Sequence, residues 1–355
     1  MTKQRIKFFI NLLVSFGLAG LLFYLSYDTI ETAPGQSKSD YIWSLWQETN
    51  KLPLFLSGGL ILLSHMIRAE RWKLLNAPLN YKISFSNSYH SVMSGYIVNL
   101  LIPRGGELYR CYMLNKLEKV PVNVSIGTVI AERAADLVFL LLLIGTSFFI
   151  EFEKLLFFIK ESKILEYVGV GNSFSSTLLF IALASVAFII LLTFLVKKVK
   201  PDFYNKVAAK IKNLMIGIRD GIGSILRLEK RGLFIIYSIL IWVLYYLMTY
   251  AVMKAFPETN QLGLVAALSV FTIGGIAMTL PLPGGIGSYH VLVPLGLSIL
   301  YQIDQSEAKG FTFIFHSFLT LVTILAGFVS LIYAQIKIHR KNVNEVVEEN
   351  TVRSE

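Results

Sequence analysis

The 355 residues are 54% apolar and only 16% charged, against roughly 25% charged in an average soluble chain, so most of the chain faces lipid or other helices. A formal charge of +10 would point to nucleic acid in a soluble protein, but basic loops on one side of a membrane account for it, and no nucleic-acid partner is expected. The single cysteine, Cys111, excludes a disulfide framework and a thiolate metal cluster.

Six apolar stretches are long enough to cross about 30 Å of hydrocarbon at about 1.5 Å per residue: 8–27, 52–67, 122–150, 178–196, 232–252 and 311–336. Lys3, Arg5 and Lys7 precede the first, and Tyr24, Tyr27 and Asp28 end it where a signal peptide would carry small residues. The sequence therefore predicts a retained helix with a cytoplasmic amino terminus. Segment 28–51 holds Asp28, Glu31, Asp40 and Glu48 against Lys38 and Lys51, which suits the outside. The second span extends through Trp72 to Leu75 and returns to Arg68, Arg71, Lys73 and Lys82 on the cytoplasmic side. Trp72 and Lys73 read as interfacial anchors, and Arg68 and Arg71 share a helix face that could meet a lipid headgroup.

Residues 83–102 are apolar but studded with Ser84, Ser86, Asn87, His90 and Asn99. Full crossing would strand Arg110, Lys116 and Lys119 outside, whereas a hairpin over 83–117 that breaks at Pro103-Arg104-Gly105-Gly106 keeps them inside. Span 122–150 then exits to the acidic start of segment 151–166, whose Leu155 to Ile159 run suits the outer interface. Span 178–196 returns to the block 197–231, with ten Lys or Arg and three acids. Phe203, Val207, Ile211, Leu214, Ile218, Ile222 and Ile225 recur there at helical steps, predicting an amphipathic surface helix on anionic lipid.

Span 232–252 leads outside, and a second hairpin over 262–301, open to the outside, breaks at Pro281-Leu282-Pro283-Gly284-Gly285-Ile286-Gly287. Span 311–336 ends inside before Lys337, Arg340 and Lys341. Spans, glycine breaks and charge topology repeat at a near-constant offset with reversed orientation. The expected fold is an all-α polytopic membrane protein of about six full transmembrane helices plus two re-entrant broken hairpins, arranged as two inverted repeats, 1–150 and 151–341. The acidic tail 342–355, with Glu345, Glu348, Glu349 and Glu355, is expected to be disordered.

Charge inside the membrane is costly and needs a reason. The first break carries Arg104, Glu107 and Arg110, and the next span carries Glu132, Arg133 and Asp136. Glu107 with Arg110 and Arg133 with Asp136 are i,i+3 pairs. Mutual neutralisation and an anion site both fit, and they are compatible when an acid orients an arginine that keeps donors free. The amino-terminal end of the half-helix from Gly106 would add unpaired backbone N–H groups facing an anion. The second break is neutral, with Pro283, Gly284, Gly285, Gly287, Ser288, Tyr289 and His290, and reads as a gate or packing element. His65, His90 and His316 read as packed polar residues, and no metal-ligand spacing or cofactor motif occurs.

Arg68-Ala69-Glu70-Arg71-Trp72, the run Asn99 to Glu107, Ala131-Glu132-Arg133-Ala134-Ala135-Asp136 and Leu282-Pro283-Gly284-Gly285-Ile286-Gly287 resemble the lysylphosphatidylglycerol synthase transmembrane-region family of flippase-like proteins. The likeness covers nearly all of residues 5–340. It implies handling of lipid in the cytoplasmic membrane, either an anionic phospholipid or an isoprenoid-linked lipid. In the fused synthases aminoacyl transfer looks like the work of a soluble carboxy-terminal domain, and the tail 342–355 is expected to be too short and polar to fold as one. A flippase whose substrate-binding set includes Arg68, Arg71, Arg104, Gly105, Gly106, Glu107, Arg110, Glu132, Arg133 and Asp136 is the leading expectation. Alternatives are a membrane-embedded transferase with Glu107, Glu132 or Asp136 as base, and a scaffold that binds lipid or a partner synthase.

Overall fold

The computed structural model describes residues 35–102, 104–161, 223–280 and 282–354, with scattered positions between 21 and 32 and between 209 and 219. The predicted spans 8–27 and 178–196 and most of the amphipathic block 197–231 lie outside the described residues, as do Pro103 and Pro281. Among the described residues there are ten α-helices and no strand. They are α1 (Lys38–Glu48), α2 (Lys51–Asn76), α3 (Phe85–Leu101), α4 (Gly105–Glu118), α5 (Val122–Ile150), α6 (Phe152–Glu161), α7 (Arg231–Met253), α8 (Leu264–Thr279), α9 (Ser288–Tyr301) and α10 (Gln305–Ser354).

Helices α2, α5, α7 and α10 are long and apolar enough to cross a bilayer. The surface of α5 shows why lipid, rather than water, must surround them. Leu137, Val138, Leu141, Leu142 and Phe149 are exposed on it, Phe149 by 90%, and such a continuous apolar face is unstable in water. Helix α2 starts where the Asn50 side chain accepts from the Leu52 amide at 3.1 Å. It ends before a 3₁₀ turn over Ala77–Leu79, after which Asn80 takes a left-handed conformation.

The two glycine breaks divide helical pairs of one plan. Helices α3 and α4 have 17 and 14 residues, and α8 and α9 have 16 and 14. At about 1.5 Å per residue each arm is roughly 21–26 Å long, short of a full crossing. Both pairs double back on themselves. A Cβ on Gly95 of α3 would come 2.7 Å from the Gly106 carbonyl oxygen of α4, so the absence of side chains at both positions is what lets the arms touch. In the second pair Tyr289 lies on Gly274, where a Cβ would come 2.8 Å from its ring.

Each pair is clamped at its foot by one glutamate. Glu118 accepts from the Ser84 amide and hydroxyl at 2.9 and 3.0 Å and from Asn87 Nδ2 at 2.7 Å, joining the start of α3 to the end of α4. Glu151, just past α5, accepts from Ser269 Oγ of α8 and from Tyr301 OH of α9, the latter at 2.8 Å. At the centre α2 packs along α7, while α3 packs on α10 and α8 on α5.

Three expectations are corrected. Leu155 and Phe158 of α6 are buried in the protein core instead of lying in lipid, because the helix folds back beside α9 and turns its apolar edge inward. Segment 342–355, expected to be disordered, continues helix α10 to Ser354, since a helix already nucleated by a long span needs no new nucleus to propagate. Trp72 is fully buried, not interfacial. Its Nε1 donates to Thr128 at 2.9 Å and its ring lies 4.9 Å from the Arg110 guanidinium.

Candidate functional site

The charges placed in apolar helices by the sequence converge on one point. Glu132 of α5 is fully buried and accepts from Arg133 at 2.5 Å, from Arg68 at 2.7 Å and from Arg110 at 3.3 Å, with Arg71 at 3.5 Å. Asp136, one turn further on, binds Arg71 at 2.7 Å and both Arg68 and Arg133 at 2.9 Å. Glu107 of α4 binds Arg110 at 3.0 Å and reaches Arg133 at 3.7 Å. The outer guanidinium nitrogens of α2 have neutral partners as well, Ser238 for Arg71 at 3.0 Å and Tyr245 for Arg68 at 3.3 Å.

This arrangement follows from helical spacing. Arg68 and Arg71 are three apart on α2, and Glu132 and Asp136 are four apart on α5, so two helix faces of opposite sign meet side by side. Four guanidiniums face three carboxylates, leaving one positive charge in excess. Nε of Arg68, Arg71, Arg110 and Arg133 has no partner, so each guanidinium retains an unused donor. Arg133 is the most exposed member, with 39% of its side chain accessible, against 4% for Arg110 and 0% for Arg71.

The cluster forms one wall of a cavity of about 700 Å³ between the two breaks. Arg68, Glu107, Arg110, Arg133 and Asp136 line it, with Arg104 at its rim. Opposite stand Tyr289, Gly284 and Gly285 of the second break and His316 and Thr320 of α10. Much of the remaining wall is apolar, from Ile61, Leu140, Met248, Phe271 and Met278. A pocket of this volume, charged on one side and apolar on the other, suits an amphiphile.

Several predicted site residues take other roles. Arg104 stands outside the buried cluster, with φ 59° at the head of α4, and donates to the carbonyl oxygen of Thr279 at 2.7 Å. It therefore ties the first break to the last turn of α8, where a cation suits the carbonyl end of a helix. The expected free amides of α4 are already bonded. Gly105 N–H donates to Ile102, Gly106 N–H to Asn99 Oδ1 at 2.8 Å and Glu107 N–H to Arg104, because the chain folds back over its own start. Gly105 and Gly106 serve close packing.

In the second break Pro283–Gly285 form a 3₁₀ turn in which Gly284 has φ +58°, a conformation suited to glycine. A Cβ on Gly284 would come 2.9 Å from Leu100, so the two breaks touch. Gly287 has φ +99° and precedes α9, where Ser288 Oγ donates to Ala277 at 2.8 Å. Tyr289 and His290 lie 5.0 and 4.8 Å from the His316 ring, and Tyr289 lies 6.0 Å from that of Phe315, so His316 and Phe315 both join this break to α10. Sequence spacing alone missed His65, Tyr96, Tyr245 and Trp242 as lining residues. The signal was weak, since polar aromatics in apolar spans are also ordinary packing. Among the described residues no group of three or more His, Cys, Asp or Glu could hold a metal ion.

Long apolar helices, two clamped hairpins broken at glycine and a charged cavity between them define a multi-pass helical membrane protein with an internal polar site. The chain belongs to the family described as the lysylphosphatidylglycerol synthase TM region, which it matches over residues 8–327. It is 26% identical over 316 residues to a UPF0104 membrane protein of Methanocaldococcus jannaschii, covering 85% of this chain and 90% of the relative. A second UPF0104 membrane protein, from Methanothermobacter thermautotrophicus, is 25% identical over 246 residues, covering 61% of this chain and 67% of the relative. No solved structure matches.

Proposed function

We propose that the protein is a lipid flippase of the cytoplasmic membrane that takes an anionic phospholipid or isoprenoid-linked headgroup into the cavity between its two breaks. The observation that carries this reading is the positive excess of the Arg68, Arg71, Arg110 and Arg133 cluster, held in apolar helices and opening on that cavity. Arg133 presents charge to the headgroup, and Glu132 and Asp136 hold the other guanidiniums in place. The tails stay against the exposed apolar faces of the helices.

The two halves, 1–150 and 151–341, act as inverted repeats that open the cavity alternately to each side, with both termini cytoplasmic. Exchanging α2 with α7, α3 with α8, α4 with α9 and α5 with α10 turns the α3–α10 packing into α8–α5 and the α4–α5 packing into α9–α10, which supports this symmetry. The second break, from Pro283 to His290, serves as the gate, and the motion loosens the Arg104 to Thr279 contact. On this reading the protein is a transporter without catalytic residues, and its partner is membrane lipid.

Protein reconstituted into vesicles with a labelled anionic phospholipid should move the label across the bilayer, and Arg133→Gln should slow that movement at least about tenfold. Transport unchanged in the variant would remove the site from the proposal. Formation of a covalent product from a labelled lipid donor by the purified protein would replace the transporter with a transferase.

A further inference from the structure

We infer that the cavity contains a second subsite, centred on His65, which takes an uncharged hydroxyl of the headgroup. The substrate class would then be a phosphodiester lipid bearing a polyol or sugar. This inference rests on the anionic-headgroup reading above and narrows it.

His65 of α2 is 3% exposed, lines the cavity, and has no hydrogen-bond partner at either ring nitrogen. Its ring lies 4.3 Å from that of Tyr96, tilted by 34°, one turn before Arg68. A purely packed side chain would serve better as leucine, because burying two polar atoms without partners is unfavourable. Neutral imidazole offers one N–H donor and one bare acceptor, which complements a hydroxyl, itself both donor and acceptor. An ionised phosphate oxygen only accepts and already has the guanidiniums as donors. Away from the cluster the one charged lining group is Arg104, bonded to the Thr279 carbonyl; Thr249 of α7 and Thr320 and Thr323 of α10 are uncharged, and the rings of Tyr96, Tyr245 and Trp242 give flat faces for a sugar or polyol. Trp242 Nε1 is another buried donor without a partner.

The test compares two lipids of equal headgroup charge. Short-chain phosphatidylinositol carries ring hydroxyls beyond the phosphodiester, and short-chain phosphatidylethanol carries none. Binding to the full-length protein in detergent, measured by calorimetry, should favour phosphatidylinositol at least about tenfold, since a site built for a hydroxyl discriminates strongly against its absence. His65→Leu should abolish the preference, leave phosphatidylethanol affinity unchanged, and keep or raise thermal stability. His65→Gln, which keeps a donor and an acceptor, should retain the preference to within about threefold. Arg133→Gln should weaken both lipids together. Equal affinity for the two lipids in the wild type, or a preference that survives in His65→Leu, overturns the subsite while leaving the anionic-headgroup reading intact. Failure of the wild type to bind either lipid overturns both.

Discussion

Glu132 is the acceptor on which the buried cluster turns, and Glu132→Gln tests it most directly. The amide keeps the volume of the carboxyl and removes its charge. Four guanidiniums then face two carboxylates, doubling the positive excess, and the new NH2 points a donor at groups that can only donate. Glu132 is fully buried, so water offers little compensation. Removing one partner of a buried ion pair costs about 3–5 kcal/mol, which corresponds to a fall in Tm of roughly 4–7 °C for a chain of this size. Thermal unfolding in detergent can be followed through tryptophan fluorescence, to which Trp72 beside the cluster contributes. Glu153→Gln, on an exposed residue of α6, is the control and should change Tm by less than about 1 °C. Adding Arg68→Met to Glu132→Gln restores the charge balance and should recover part of the loss. A Glu132→Gln protein that melts within about 1 °C of the wild type would refute the description of a desolvated, mutually dependent cluster.

Gly106→Ala places a methyl group on the Gly95 carbonyl oxygen and should prevent the first hairpin from closing, seen as loss of a monodisperse peak in size-exclusion chromatography; Gly59→Ala on α2, with nothing within 4 Å, should elute as the wild type. Arg104→Gly and Arg104→Ala both lose the bond to Thr279, but only glycine relieves the left-handed backbone, so the glycine variant should be the more stable by about 1 kcal/mol. In Glu151, burial raises the carboxyl pKa, but hydrogen bonds from Lys154, Ser269 and Tyr301 outweigh it and hold the pKa below the ordinary glutamate range. A depressed folded-state pKa stabilises above the unfolded value and is lost as pH falls through the folded one. Glu151→Gln should therefore lower Tm at neutral pH and flatten the loss of stability in acid; an acid limb as steep as in the wild type would contradict this.

Much of this architecture was readable because membrane solvent leaves few options. The apolar run 122–150 coincides with α5, and the break expected at Pro103 to Gly106 falls between the end of α3 at Leu101 and the start of α4 at Gly105. The i,i+3 pairs Glu107–Arg110 and Arg133–Asp136 were also readable, since they lie within one helix. Pairing across helices was not. Spacing on α2 says that Arg68 and Arg71 share a face, but only tertiary packing decides that this face meets Glu132 and Asp136 instead of lipid headgroups. Trp72 was misplaced for the same reason, because an aromatic residue near basic residues has the same local signature whether it faces an interface or fills a core. The amides of α4 looked free because their acceptors, Ile102 and Asn99, are supplied by a fold-back that no helical periodicity encodes.

The cluster also constrains how the protein is made. Helix α5 brings Glu132, Arg133 and Asp136 into the bilayer, and α2 brings Arg68 and Arg71. Taken singly, each charge resists insertion by about 2.5–3.5 kcal/mol, yet together they leave only one charge uncompensated. Neither helix is at ease in lipid until the other arrives, and the chain between them contains the first hairpin. During synthesis Arg68 and Arg71 gain these carboxylate partners only once residue 136 has been made. Pairing α2 with α5 is thus what offsets the insertion cost of both helices, so the cluster serves assembly as well as binding.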